Sequence, residues 1–180
     1  MKVAFIQFLT DKNPEYKYAD RANTDRAEMM VRNTVATGVN VIILPELFET
    51  RLFCQMADDP KFFAWSETIV SRFSVLAGEL GVVISIPFFE KEGDEYFNSC
   101  AVADADGKIV GVYRKHPVPI SKCYEEEHKF SPGYKVFDTK FGKIGMATCW
   151  DRWTPLAGDS TIALTGADLV VYSYVTFNIQ

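Results

Sequence analysis

The feature that most constrains this fold is a rhythm of three short apolar runs separated by helix-length segments. The runs are residues 3–8 (VAFIQF), 39–44 (VNVIIL) and 82–89 (VVISIPFF). Runs this short and mostly apolar, the second set between Gly38 and Pro45 and the third opening after Gly81, suit strands buried on both faces of a parallel sheet. Between the first two, Ala27, Met30, Val31, Thr34 and Val35 recur at helical spacing, and Gly38 is the helix stop. Between the second and third, Asp59-Pro60 reads as an N-cap and N1 pair. It opens a helix with Phe62, Phe63, Ile69, Val70, Phe73, Leu76, Ala77 and Leu80 on its inner side, closed by Gly81. The order β-α-β-α-β predicts parallel strands joined by right-handed crossovers.

The remainder predicts short strands with tight turns. Residues 97–103 run into the turn Asp104-Ala105-Asp106-Gly107, and 109–113 return as a hairpin partner. Residues 136–139 and 143–148 pair about Phe141-Gly142; a short helix near 155–164 and a strand at 168–174 complete the chain. Repeats, low-complexity tracts and linkers are missing, which reads as one domain over residues 1–180.

Composition narrows the function. The 19 Lys and Arg against 24 Asp and Glu give a formal charge of −5, which argues against nucleic acid as a partner. No apolar stretch is long enough to span a bilayer, and Met1-Lys2 runs straight into the first strand, so a cytoplasmic protein without a membrane partner is expected. The cysteines at 54, 100, 123 and 149 make no C-x-x-C pair and no zinc spacing, which predicts reduced thiols and no metal.

Three polar residues stand where apolar strands end. Glu46 follows Ile42-Ile43-Leu44-Pro45, Lys115 follows Val110-Gly111-Val112-Tyr113-Arg114, and Cys149 follows Ile144-Gly145-Met146-Ala147-Thr148. Ligands of open α/β sheets bind at the carboxyl ends of strands, so these three can share one rim. A thiol nucleophile, a carboxylate that takes and returns its proton, and an ammonium facing an oxyanion together make an amide hydrolase. Taken singly, each has a plainer reading: a small core cysteine, a solvated acid in a turn, a surface lysine. Their joint occurrence carries the inference. A nucleotide-binding doubly wound domain has the same β-α-β-α-β order, but no G-x-G-x-x-G or P-loop is present.

Pro45-Glu46-Leu47-Phe48, Tyr113-Arg114-Lys115 and Cys149-Trp150-Asp151 resemble the three motifs of the nitrilase, or carbon–nitrogen hydrolase, superfamily. Phe97-Asn98-Ser99, Asp104-x-Asp106-Gly107, Phe130-Ser131-Pro132-Gly133 and Gly142-Lys143-Ile144-Gly145 match as spacing elements. The resemblance implies an αββα sandwich, here short of the usual C-terminal part, and a Glu46-Lys115-Cys149 triad working through a thioester without a cofactor. It implies a second glutamate at Glu126, in Tyr124-x-Glu126, with Tyr124, Trp150 and Asp151 as further residues that bind substrate or support the site. Homo-oligomers are implied as well, and a partner copy or missing chain is expected to cover the apolar strand Val170-Val171-Tyr172.

Phe48-Glu49-x-x-x-Phe53-Cys54-Gln55 and Cys149-Trp150-Asp151-Arg152-Trp153 look most like amidases of N-carbamoylputrescine and related N-carbamoyl compounds. Departures from the pattern are His116-Pro117 after the lysine and Pro155-Leu156-Ala157-Gly158-Asp159 after the nucleophile. These leave a catalytically impaired, binding or assembly homologue as the competing reading. Gly158-Asp159-Ser160 is not a serine-hydrolase block, because both histidines precede it and no G-x-S-x-G elbow exists.

Overall fold

A computed structural model describes residues 1–9, 16–49, 66–115, 134–149, 151 and 166–174. β1 (Val3–Phe5), α1 (Tyr16–Val35), β2 (Val41–Ile43), α2 (Ser66–Leu80) and β3 (Val83–Glu92) follow the predicted alternation. β1, β2 and β3 are parallel, in the register Val3–Val41–Val83. β4 (Glu95–Ala103) and β5 (Ile109–Arg114) add antiparallel, giving a five-stranded sheet in sequence order. β6 (Lys135–Thr139), β7 (Gly142–Thr148) and β8 (Leu169–Ser173) form a second sheet, with β6–β7 antiparallel and β7–β8 parallel.

The first strands are shorter than the apolar runs, although bonding continues past them: Ile6 N–H donates to Ile43 O at 2.9 Å. β3 is longer than predicted because it folds directly onto β4. Glu92 pairs with Glu95 across a two-residue turn, and Gly93 at φ 61° supplies the left-handed first position that such hairpins need. The Gly93-Asp94 signal was in the sequence but lay hidden beneath the apolar pattern. Pro87 is tolerated inside β3 for a geometric reason. Val83 N–H bonds Asn40 O and Ser85 O accepts from Leu44, so every second residue of β3 faces β2. Pro87 falls on that side where β2 has already ended, and its missing N–H costs no ladder bond.

Strand alternation divides the apolar residues between two cores. Ile42, Leu44, Ile84, Ile86, Ala101 and Ala103 pack under Ala27 and Val31 of α1 and Phe73, Leu76 and Ala77 of α2. Val41, Ile43, Val83, Cys100, Val102 and Tyr113 face the second sheet and meet Phe137, Ile144, Met146 and Val171. Gly111 lets the sheets close, since a Cβ there would lie 2.4 Å from Phe137 Cε1. The layers are therefore helices, sheet and sheet. The helix predicted near 155–164 and the start predicted at Asp59-Pro60 lie outside the described residues. Because β4 reverses β3 and β5 reverses β4, the carboxyl ends of β1, β2, β3 and β5 share one edge. No helix among the described residues is long and apolar enough to cross a membrane.

Candidate active site

Glu46 lies in the turn that leaves β2, and Lys115 is the first residue beyond β5. The Lys115 Nζ is 3.3 Å from Glu46 Oε1, and both side chains are buried, 5% and 1% exposed. Removing two charges from water costs several kcal/mol per ion, so such a pair persists only where further hydrogen bonds support it. Asn98 supplies that support: its Nδ2 donates to the same Oε1 at 2.8 Å, while its carbonyl accepts the Lys115 N–H at 2.8 Å. One residue of β4 thus holds the side chain of Glu46 and the backbone of Lys115. Sequence reading took Asn98 only as a spacing element. Its signal was an amide at an inward position of a strand whose next inward residues are Cys100 and Val102.

The outer face of the same edge is clamped as well. Arg114 makes a two-pronged contact with Glu90 at 2.7 and 2.8 Å, Ser99 Oγ donates to Glu90 at 2.6 Å, and the guanidinium lies 4.0 Å from the Phe97 ring centre. Burial works to raise Glu90, but the hydrogen bonds from Arg114 and Ser99 prevail and hold its carboxyl below the ordinary value. The lattice fixes β3, β4 and β5 to one another just before Lys115.

Cys149 follows β7 and is half-buried, with φ 47°. Among the described residues only Leu47 shares a positive φ without being glycine, and it directly follows Glu46. Backbone held in this region by a side-chain-bearing residue costs about 1–3 kcal/mol and gathers at functional sites. Both strained residues mark strand exits of the candidate site. Phe48 and Glu49 continue the first turn into the interior, where Asn23 of α1 donates to Glu49 O at 3.1 Å and Phe48 meets Phe73 edge-on at 5.3 Å.

Asp151 is wholly buried and accepts from Tyr113 Oη and from Thr148 N–H, each at 2.6 Å. The turn carrying Cys149 is thereby tied to the strand carrying Lys115. Tyr124, Glu126 and Trp150 lie outside the described residues. Cys100 is the contrasting thiol: burial in the core pushes it up to about 12. A cavity of about 360 Å³ opens at the ends of β1, β2 and β8, lined by Ile6, Phe8, Pro45, Glu46, Phe48 and Tyr172 among others. No cluster of three metal-ligating side chains occurs among the described residues.

The sequence profile of the carbon-nitrogen hydrolase family matches residues 2–179. The chain belongs to this family. It is 43% identical over 158 residues to an N-carbamoylputrescine amidase from Arabidopsis thaliana, covering 83% of this chain and 52% of that protein. A citrullinase from Francisella tularensis is 36% identical over 180 residues, covering 96% of this chain and 60% of that protein. The chain thus spans roughly half to three-fifths of these curated relatives. Its fold matches the crystal structure of a carbon-nitrogen hydrolase from Helicobacter pylori with a TM-score of 0.85 at 29% identity, covering 98% of this chain and 61% of that one. A nitrilase-superfamily member from Saccharomyces cerevisiae gives 0.73 at 25% identity, covering 99% and 65%. The nitrilase-type α/β fold expected from the motifs is the fold of this chain.

Proposed function

We propose that this chain acts as a thiol amidohydrolase that cleaves the C–N bond of a small linear amide or N-carbamoyl compound. The observation that carries the reading is the buried Glu46–Lys115 pair at the carboxyl edge, with the strained Cys149 on a turn tied to the same strand by Tyr113. Glu46 accepts the thiol proton of Cys149, and the thiolate attacks the carbonyl carbon. Lys115 and the Trp150 N–H receive the developing oxyanion. Ammonia leaves with the proton returned by Glu46, and a thioester remains. Glu46 then takes a proton from water, whose oxygen attacks the thioester; the C–S bond breaks, the acid leaves, and Glu46 returns the proton to the Cys149 sulfur.

The substrate reading is a ureido group on an aliphatic amine or amino acid. N-carbamoylputrescine and citrulline, the compounds in the relatives' names, both carry one. Hydrolysis of a ureido group releases ammonia and a carbamate, which loses carbon dioxide. Glu126 and Tyr124 are assigned to substrate, and copies of the chain are taken to associate, a reading supported by the exposed Phe5, in the end strand β1, and the exposed Tyr174, just beyond the end strand β8. Solution mass tests the association. The activity is tested by incubating the folded protein with N-carbamoylputrescine, citrulline and simple ω-amides and assaying ammonia. Release abolished by Cys149→Ala is expected; no release from any of them by folded protein overturns the reading.

A further inference from the structure

The contact between Tyr113 and Asp151 does more than join two sheets. Asp151 reaches back three residues to take the N–H of Thr148, so its carboxylate closes the turn that contains Cys149. The same oxygen, Oδ2, takes the hydroxyl of Tyr113 from across the sandwich. Tyr113 sits two residues before Lys115, and strand alternation puts both on the inward face. Its ring is fixed on the other side by Tyr134, stacked at 6.3 Å with 13° between the planes. The short chain Lys115–Tyr113–Asp151–Thr148–Cys149 therefore runs from the ammonium to the thiol through buried groups. A cysteine at φ 47° does not hold that backbone unaided, and the Asp151 carboxylate, accepting from Thr148 N–H, closes the turn.

We propose that Tyr113 and Asp151 are positioning residues for Cys149, their hydrogen bond setting the thiol against the Lys115 strand. The proposal rests on the reading of Cys149 as nucleophile. It gives Asp151 a task apart from substrate charge: the carboxylate is fully buried and turned into the sheet interface, bonded to Tyr113.

The test compares the full chain with Tyr113→Phe, Asp151→Asn and Asp151→Ala, each checked for fold by circular dichroism. The rate of Cys149 alkylation by iodoacetamide is followed by mass spectrometry, alongside ammonia release from N-carbamoylputrescine and from a neutral ω-amide. Misplacing a reacting group by about 1 Å costs on the order of a hundredfold, so Asp151→Ala and Tyr113→Phe are expected to slow alkylation and kcat by roughly ten- to a hundredfold with KM little changed. Asp151→Asn keeps an acceptor for both donors and is expected to recover much of the Asp151→Ala loss on both substrates. Alkylation in Tyr113→Phe and Asp151→Ala as fast as in the parent overturns the proposal. So does an Asp151→Asn defect confined to KM for the cationic substrate, which would make Asp151 a charge partner of substrate. An unselective Cys149 in the parent itself overturns the nucleophile reading instead, so the two failures are separable.

Discussion

The side-chain amide of Asn98 is 2.8 Å from Glu46 Oε1, the oxygen that also receives Lys115 Nζ. Two donors on one buried carboxylate oxygen fix the rotation of that carboxylate, because any turn about its last bond breaks both contacts. The Glu46 carboxylate is therefore held in one orientation, as the proton-transfer role proposed for it requires.

Asn98→Ala leaves the Lys115 N–H bond to the residue 98 carbonyl but strips one donor from a buried carboxylate. Loss of about 1–3 kcal/mol of stability is expected, from the desolvated acceptor left behind. Turnover is expected to fall roughly ten- to a hundredfold, with the larger share in kcat. Urea titration and steady-state kinetics check both, and unchanged kcat in a folded variant would refute the role given to Asn98.

Cys149 and Cys100 are expected to separate sharply in a labelling experiment. Cys100 is fully buried with its thiol pushed up to about 12, whereas Cys149 is half-buried at the site. Iodoacetamide at neutral pH labels Cys149 first in the native protein, and Cys100 only after urea is added, because the thiolate is the reacting form. Peptide mass spectrometry reads the order, and early labelling of Cys100 contradicts the core described above.

Glu90 makes stability depend on acid pH. Its carboxyl lies below the ordinary value of 4.5 in the folded chain, held there by Arg114 and Ser99 against burial. A depressed folded value means that its stabilisation is fully present above 4.5 and is lost as pH falls through the folded value. Glu28 and Glu79 are lowered too, Glu28 by Arg72 and Arg32 against burial, Glu79 by Arg32. The melting temperature of the parent is expected to drop as pH falls below 4.5. Glu90→Gln is expected to be less stable than the parent at neutral pH, and that gap should close in acid. A gap that stays constant with pH would show that the Arg114–Glu90 charge pair contributes nothing to stability.

Gly111→Ala tests the contact between sheets. The new methyl would stand 2.4 Å from Phe137 Cε1, and Phe137 is itself enclosed. Overpacking of this kind costs about 1–3 kcal/mol. For a chain of this size that corresponds to a melting temperature lower by roughly 2–12 °C, measured by calorimetry. A variant as stable as the parent would mean that the sheets are not held at this distance.

The sequence by itself determined the order of elements and the three strand exits. Apolar runs, helical spacing and the Asp104–Gly107 turn are local signals, each set by contacts within a few residues, so β1 to β3, α1, the end of α2 and the β4–β5 hairpin were legible. The motifs at Glu46, Lys115 and Cys149 were legible for the same reason: each is a polar residue placed at or just beyond the end of a strand. Only the tertiary structure decided which polar groups meet. Asn98 and Glu46 are 52 positions apart, Lys115 and Glu46 are 69, and Tyr113 and Asp151 are 38. No periodicity reports such pairs, because they follow from the order of strands in the sheet and from the stacking of one sheet on the other. Asp151 shows the difference most plainly. In the sequence it is an acid beside the nucleophile that binds substrate or supports the site; in the fold it is buried, where an unpartnered carboxylate would be costly and is met by Tyr113 and Thr148.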